Sequence, residues 1–214
     1  MFQNCVFSIG RFNANIYYAS GTCTLINKAG LMATAAHVVD GNDDNLWIRL
    51  NTNDINDFQD TTVQKSTFLP VKIKAIDPLR DLCVVSLMGQ DNVQSTVWVS
   101  SVSNVFIGEA VTVVGFPHSN LGRIVLTQQT CEIGAKIILG ASGIKSKHLV
   151  LNIQARPGQS GGPVIRKVDG SLIAVLIGAY VPSTEGGISL GGIDPQTLHQ
   201  TTHAVSAEYL ERML

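Results

Sequence analysis

Charged side chains are scarce in this sequence. Asp, Glu, Lys and Arg together make up 14% of its 214 residues, whereas soluble domains usually contain about 25%. The 15 basic and 16 acidic residues nearly cancel, and no basic run is longer than a pair such as Arg166-Lys167. Because proteins bind phosphate backbones through clusters of Lys and Arg, this composition argues against nucleic acid as a partner.

Long apolar runs are also missing. The longest apolar segment, residues 172–181, is about half as long as the ~20 residues that a membrane-spanning helix requires. Residues 1–21 do not fit a secretory signal, because polar residues interrupt their short apolar stretch and Arg11 comes after it. We therefore expect no membrane span and a cytoplasmic location.

The sequence has no CxxC motif. Its four cysteines, Cys5, Cys23, Cys83 and Cys131, stand apart from one another, which argues against a zinc site and against a thioredoxin-type motif. Three of them lie inside apolar runs, where a free thiol behaves as a small core residue. We expect free, buried thiols and a reducing compartment, and the alternative is at least one disulfide bond.

Short apolar runs separated by polar, Gly-rich or Asn-rich breaks fill most of the chain, which is typical of a many-stranded antiparallel β protein. The first half predicts strands at residues 6–9, 24–26, 31–34, 47–50, 71–76 and 82–87. The second half predicts strands at residues 110–116, 124–128, 149–153, 164–166 and 172–179. The polar, Ser-rich stretch 89–104 separates the halves, and a short helix capped by Ser206 is predicted to run to Leu214.

A serine flanked by glycines gives the strongest functional signal. It stands in Pro-Gly-Gln-Ser-Gly-Gly-Pro at residues 157–163. Glycines permit turns with positive φ, which expose the Ser160 hydroxyl and direct backbone N–H groups towards one point. Such a loop can form an oxyanion hole. The alternative is a Gly-rich β-turn that contains a serine by chance.

A histidine and an aspartate stand in two further sequence frames. His37 follows a strand end of small residues in Thr-Ala-Ala-His-Val-Val, and Asp81 precedes the apolar strand of Asp-Leu-Cys-Val-Val. A carboxylate at the mouth of such a strand is costly unless a group such as an imidazole N–H donates to it. We prefer Asp81 to Asp77 for this role, because Asp77 directly precedes Pro78 and fits the start of a turn.

The remaining histidines have no comparable frame. We expect His118, His148 and His199 to be surface or loop residues. His199 and His203 are four residues apart, a spacing that can hold a metal on a helix. No third ligand is nearby and Pro195 precedes the pair, so we expect no metal site and no other cofactor.

The three frames, taken together and in this order, resemble the trypsin/chymotrypsin superfamily over nearly the whole chain. The closer resemblance is to HtrA/Deg-type and other bacterial trypsin-like peptidase domains, here without a PDZ module. Their patterns His-Val-Val, Asp-Leu-x-Val and Gly-x-Ser-Gly-Gly-Pro match residues 37–39, 81–84 and 158–163, and Gly-Phe-Pro at residues 115–117 matches a strand end of those domains.

This resemblance implies an all-β chymotrypsin-like fold of two six-stranded antiparallel barrels with a short C-terminal helix. Residues 1–92 would form the barrel that carries His37 and Asp81, and residues 104–214 the barrel that carries Ser160. The implied activity is that of a serine endopeptidase. Ser160 would be the nucleophile, His37 the general base and Asp81 the residue that orients the base.

The resemblance also implies where a protein or peptide substrate would bind. The N–H groups of Gly158 and Ser160 would form the oxyanion hole. The substrate-binding residues around the S1 pocket would be Gln154, Ala155, Ala179, Tyr180 and Val181. Since no charged side chain is among them, we expect a small or medium apolar P1 residue. Residues 176–181 would pair with the extended substrate, and Glu185 is expected to be a solvated loop residue.

Gln159 stands where trypsin has an aspartate before its catalytic serine. Without that carboxylate a freed N-terminal amine has no ion-pair partner, so we do not expect activation by cleavage. We expect regulation by ordering of the Gly-rich segments 133–143 and 183–192, or by a regulatory protein or domain. This hypothesis allows a distorted oxyanion loop in the free chain. The alternative functions are a catalytically silent binding module of the same fold and a β-barrel interaction domain unrelated to proteases.

Overall fold

The computed structural model describes residues 2–51, 54–62, 66–90, 92–180 and 201–214, without the side chains of residues 179 and 180. Within these residues, antiparallel strands form two closed barrels of six strands each. The two-barrel fold expected from the sequence is therefore confirmed. The division into residues 1–92 and 104–214 stays a prediction.

The first barrel has the strand order β1-β2-β3-β6-β5-β4. Its strands are β1 (Val6–Asn13), β2 (Ile16–Leu25), β3 (Leu31–Thr34), β4 (Leu46–Arg49), β5 (Phe68–Asp77) and β6 (Leu82–Leu87). The barrel closes where β1 pairs with β4, with Ile9 opposite Ile48. The single-turn helix α1 (Ala36–Val39) follows β3 directly.

The second barrel has the strand order β10-β11-β12-β9-β8-β7. Its strands are β7 (Ala110–Gly115), β8 (Thr127–Ala141), β9 (Ile144–Leu151), β10 (Pro163–Arg166), β11 (Leu172–Tyr180) and β12 (Thr201–Ser206). Short 3-10 helices lie at Phe2–Asn4, Val102–Asn104, Ser119–Leu121 and Ala207–Arg212. In the part of the chain that the structure describes, no helix is long and apolar enough to cross a membrane.

The two barrels share one packed interface. The buried cluster that contains Met32 and Val84 of the first barrel also contains Phe116, which follows β7, and Val205 and Leu210 near the C-terminus. A separate buried cluster fills the second barrel. Apolar side chains from both barrels therefore fix the relative position of the loops that connect their strands.

The flexibility expected at residues 133–143 stays a prediction, but the backbone of this segment is regular. These residues lie in β8 and its turn into β9, and β8 pairs along its length with β7 and β9. Gly134 lies at a register shift, where a side chain would collide with Asn152 Oδ1. Gly143 has φ 80° in the turn. Glycine is therefore required here for close approach and for a tight turn.

Two further predictions are corrected near β8 and at the C-terminus. The strand predicted at residues 124–128 begins only at Thr127. The strand β12 was not predicted, because the polar run Thr201-Thr202-His203 at its start weakens the apolar signal. The C-terminal helix is the 3-10 helix Ala207–Arg212. Ser206 does not cap it; its hydroxyl instead accepts the Val102 N–H (3.3 Å).

All four cysteines are free and buried, as the apolar context of three of them predicts. Burial raises the pKa of Cys5 and Cys131 to about 11 and that of Cys83 to about 12, and it also raises the pKa of Cys23. The thiolate is the reactive form of cysteine, so these thiols are protected twice, by lack of access and by lack of ionisation.

We expect the native protein at pH 8 to resist Ellman's reagent, and all four thiols to react once guanidinium chloride unfolds the chain. Absorbance of the released thionitrobenzoate measures both states. Rapid reaction of any thiol in the native protein would contradict the packing described for these residues.

His148 is a buried residue of β9, in contrast to the expected surface or loop position. Its Nε2 lies 2.8 Å from Ser146 Oγ, and its buried Nδ1 has no hydrogen-bond partner among the described residues. Burial, and next the nearby His203, lower the pKa of His148 to about 4. The side chain is therefore neutral in the folded protein over most of the physiological range.

Folding should lose stability as the pH falls from about 6.5, where an unfolded histidine titrates, towards 4, because only the unfolded chain binds this proton. The substitution His148→Gln should flatten this dependence by up to about 1.4 kcal/mol per pH unit. Urea unfolding at several pH values between 4 and 7 measures the slope. An unchanged slope in the variant would show that His148 is not responsible.

Candidate active site

His37 and Asp81 lie side by side because β3 pairs with β6. Thr34 at the end of β3 is opposite Cys83 at the start of β6, so α1 begins next to the turn that contains Asp81. Asp81 Oδ1 accepts the His37 N–H (2.8 Å), and its Oδ2 lies 2.6 Å from His37 Nδ1. The Ala36 N–H donates to the Asp81 carbonyl (3.1 Å). The carboxylate thus fixes both the backbone and the ring of His37, and Nε2 lies on the other side of the imidazole.

The competing carboxylate, Asp77, is occupied elsewhere. Its Oδ2 accepts from Arg80 Nη1 (2.7 Å), and its Oδ1 accepts the Arg80 N–H (3.2 Å). The Arg80 guanidinium also lies over the ring of Tyr209, 4.6 Å from its centroid. Asp77 therefore closes a local turn, and the geometry favours Asp81 as the partner of His37.

Ser160 approaches α1 across two glycines. A side chain on Gly21 would place its Cβ 2.6 Å from Val38 Cγ2 and 2.8 Å from the Ser160 carbonyl oxygen. A side chain on Gly161 would collide with Thr34. Glycine at both positions therefore allows the serine loop of the second barrel to contact the histidine segment of the first.

Of the two hydrogen bonds expected in a chain from Asp81 through His37 to Ser160, only the one between Asp81 and His37 is formed among the described residues. Among the hydrogen bonds of the described residues, none joins Ser160 Oγ to His37. Half of the His37 side chain is exposed, with a relative accessibility of 47%. Hydrogen bonds of this kind are often long in unliganded sites and tighten when substrate binds. The arrangement therefore leaves both groups accessible to a ligand.

The carbonyl of Pro157 is held by a hydrogen bond from His118. It accepts the His118 N–H (2.7 Å). In a trans peptide the carbonyl and the next N–H point in opposite directions, so the Gly158 N–H points away from His118. Gly158 has φ 93°, which glycine adopts without strain. Whether the free chain has the distorted oxyanion loop that the regulatory hypothesis allows stays a prediction.

The direction of the Ser160 N–H is set in the same way, by the hydrogen bond of the carbonyl in its peptide plane. The Gln159 carbonyl accepts the Gly162 N–H (2.9 Å), so the Ser160 N–H, in the same peptide plane, points the other way. Within the described ranges, neither the Gly158 N–H nor the Ser160 N–H donates to a protein acceptor. Two unpaired N–H groups next to a serine hydroxyl can bind a negatively charged oxygen.

Gln159 is fully buried and supports the loop from inside. Its Oε1 accepts the Arg156 N–H (2.8 Å), and its Nε2 donates to Gln129 Oε1 on β8 (3.0 Å). The sequence offered no sign of Gln129, because this contact joins residues that lie 30 positions apart. A neutral amide pair thus occupies the place for which trypsin uses a carboxylate.

The expected substrate-binding residues are only partly described. Gln154 and Ala155 are half-buried, and the Ala155 N–H donates to Thr202 Oγ1 (2.8 Å). Ala179 and Tyr180 end β11 and pair with β12, but their side chains lie outside the described residues. So do Val181, Glu185 and the segment 183–192.

Among the described residues, the end of β11 has one edge without a strand partner. Its pairing with β10 covers residues 172–175, and Leu176 exchanges hydrogen bonds with Gly161 and Gly162. Among the described strands, residues 178–180 pair only with β12. An extended peptide could therefore add to the other edge of these residues.

The histidine pair offers no helical metal site. His203 lies on the strand β12, and His199 lies outside the described residues. Across the described part of the chain, no group of three or more His, Cys, Asp or Glu side chains is placed to hold a metal ion.

Residues 21–175, more than half of the chain, match the sequence profile of the trypsin-like peptidase domain. The chain belongs to the trypsin-like peptidase family. The matched residues include the His37, Asp81 and Ser160 frames and extend into β11.

Solved structures with the same architecture cover nearly all of this trypsin-like peptidase domain. The MamO protease domain from Magnetospirillum magneticum (apo form) is 15% identical, with a TM-score of 0.69 over 100% of this chain and 97% of that one. The active form of the Rv3671c protease from M. tuberculosis is 18% identical, with a TM-score of 0.69 over 100% and 80%. Deg5 is 16% identical, with a TM-score of 0.65 over 98% and 87%. At such identities the likeness shows the fold alone.

A curated relative matches a smaller part of the peptidase domain. The uncharacterized protein y4bJ of Sinorhizobium fredii is 28% identical over 108 residues, which are 50% of this chain. The matched stretch spans 16% of that protein. The relative therefore carries much more chain than the part that resembles this domain.

The substitution Gln159→Leu should destabilise the domain by about 1–3 kcal/mol, because the Arg156 N–H and the Gln129 amide lose their partner inside the loop. Gln128→Leu, at an exposed position beside Gln129, is the matched control and should change stability by less than about 0.5 kcal/mol. Urea unfolding measures both. Equal stability of the two variants would contradict the role assigned to the buried amide.

Proposed function

We propose that this trypsin-like peptidase domain is an active serine endopeptidase that cleaves protein or peptide substrates through an acyl-enzyme on Ser160. Two observations carry the proposal. His37 and Asp81 form a pair (2.6 Å), and the serine loop, which lies close to the start of α1 at Gly21 and Gly161, has Gly158 and Ser160 N–H groups that are unpaired among the described residues. Nucleophile, base, orienting carboxylate and oxyanion donors are the four components that acyl transfer needs.

In the proposed reaction, Ser160 Oγ attacks the carbonyl carbon of the scissile bond while its proton passes to His37 Nε2. The electron pair of the C=O bond moves to oxygen, and the two N–H groups of the loop donate to that oxyanion. When the C–N bond breaks, His37 gives the proton to the leaving amine and Ser160 keeps the acyl group as an ester. Water then attacks the ester with His37 as base, which releases the acid and restores Ser160.

Asp81 acts through His37. With its Oδ2 at 2.6 Å from Nδ1, the carboxylate keeps the Nδ1–H tautomer, so that Nε2 is the free base before the attack. It also stabilises the imidazolium that forms when Nε2 takes the proton. The mechanism requires no metal ion and no other cofactor.

For the substrate, we propose binding along the free edge at the end of β11, with Gln154, Ala155, Ala179, Tyr180 and Val181 around the S1 pocket. The lack of a charged residue among these five favours a small or medium apolar P1 side chain. Main-chain hydrogen bonds to the edge would hold the substrate extended, with its scissile carbonyl at Ser160.

For regulation, we propose that a partner protein or domain changes the order of the loops around Ser160 by binding one of their states better. One structural neighbour, Rv3671c protease, is known in a form described as active and in forms described as inactive. The β8–β9 hairpin, with its complete strand pairing, is not the mobile element of this scheme. The free thiols favour a reducing compartment such as the cytoplasm.

The second candidate function is a catalytically silent binding module of the same fold. It is favoured by one observation, the missing hydrogen bond between Ser160 Oγ and His37 among the described residues. A fluorophosphonate probe separates the two functions, because it phosphonylates a serine only when that serine is activated.

The wild-type protein should be labelled by a fluorophosphonate, and Ser160→Ala should abolish both labelling and peptide cleavage. The unfolding free energy should change by less than about 0.5 kcal/mol, because a single accessible hydroxyl is lost. Ser103→Ala, in the exposed part of the 3-10 helix Val102–Asn104, is the control and should be labelled like the wild type. A folded wild-type protein that fails to label would favour the silent binding module.

A further inference from the structure

Thr22 joins the first barrel to the serine loop of the second. It is fully buried on β2. Its N–H donates to the Ser160 carbonyl (2.8 Å), and its Oγ1 donates to the Gly158 carbonyl (2.8 Å). The same Oγ1 accepts the Phe116 N–H (3.3 Å), and the Thr22 carbonyl accepts from Thr34 Oγ1 (2.7 Å). One residue thus bonds to three separate segments of the chain.

The Thr22 hydroxyl holds the peptide plane that follows the Gly158 N–H, and this N–H has no protein acceptor among the described residues. The Gly158 carbonyl shares its plane with the Gln159 N–H, which donates to the Arg156 carbonyl (3.0 Å). This plane is therefore held at both ends, by Thr22 and by Arg156. The preceding plane, which contains the Gly158 N–H itself, is held by His118. Together the two planes fix φ and ψ of Gly158.

Gly158 needs such an external restraint. Glycine populates a wide range of φ and ψ, so it does not hold its own N–H in one direction. A side chain cannot supply the restraint, since a Cβ on Gly158 would collide with the Phe116 carbonyl and with Ser119 Oγ. In this packing, the orientation of Gly158 is therefore restrained by hydrogen bonds to the two peptide planes on either side of it.

We propose that Thr22 is a positioning residue, whose hydroxyl holds the Gly158 N–H in the direction required for the oxyanion hole. The inference rests on the proposed function, because it concerns the same reaction at Ser160. Thr22 does not contact the reacting atoms. It acts through the Gly158 carbonyl, and it makes the oxyanion donor of the second barrel depend on a side chain of the first.

The test compares Thr22→Val, which keeps the shape of the side chain and removes the hydroxyl, with Thr22→Ser, which keeps the hydroxyl. The readout is labelling by a fluorophosphonate over a range of concentrations, which yields the maximal rate kinact and the binding constant KI. Loss of an oxyanion donor costs about 100-fold to 1000-fold, so a misdirected donor in Thr22→Val should lower kinact by about 10-fold to 100-fold. KI should stay unchanged, and Thr22→Ser should restore most of kinact.

Thr24→Val is the matched control. Thr24 lies two residues further along β2 and is equally buried, but its hydroxyl has no hydrogen-bond partner among the described residues. We expect kinact of this variant to equal that of the wild type and its Tm to be unchanged or raised. A loss of kinact in Thr24→Val equal to that in Thr22→Val would overturn the proposal, because any hydroxyl of this strand would then matter.

The remaining outcomes are also decisive. A lowered Tm in Thr22→Val with wild-type kinact for the folded protein would reduce Thr22 to a structural residue and overturn the proposal. If Thr22→Val does not fold, Thr22→Cys replaces it; its thiol is a weak donor, and kinact should fall with KI unchanged. If the wild type is not labelled, the proposed function fails, whereas labelled wild type with unaffected Thr22 variants defeats this inference alone.

Discussion

The site depends on one constraint, the orientation of the peptide planes in the Gly-rich loop at residues 157–162. Glycines permit this conformation but do not select it. Selection comes from hydrogen bonds to the four successive carbonyls of the loop, whose donors are His118, Thr22, Gly162 and again Thr22. Two of these four bonds start in the first barrel, so the loop acquires its shape only when the barrels are packed together.

The same packing explains how a histidine on one barrel and a serine on the other come to lie near each other. The pairing of β3 with β6 brings His37 to Asp81 within the first barrel. The buried cluster shared by both barrels then holds the two barrels together, and glycine at positions 21 and 161 removes the side chains that would keep the serine and histidine segments apart. The hydrophobic effect is not directional, whereas hydrogen bonds depend on angle as well as distance. Here the buried apolar contacts between the barrels hold the polar groups in the positions that their hydrogen bonds require.

The sequence predicted the fold and the three central residues because each stands in a local frame that can be read from its neighbours. Glycines around Ser160, small residues before His37 and an apolar strand after Asp81 are such frames. Thr22, Gln129 and His118 have none, since their roles arise from partners in the serine loop that lie at least 30 positions away in the sequence. The strand β8 was not predicted over its full length, because the sequence alone does not distinguish a glycine at a bulge from a glycine in a flexible loop. Only strand pairing distinguishes them.

The buried amide of Gln159 has a consequence for the conditions that the site tolerates. Its partners, the Arg156 N–H and the Gln129 amide, are neutral groups. Dissolved salt weakens attraction between separated charges but has little effect on hydrogen bonds between buried neutral groups. Support of the serine loop at this point therefore needs no titrating amine and depends much less on ionic strength than an ion pair would.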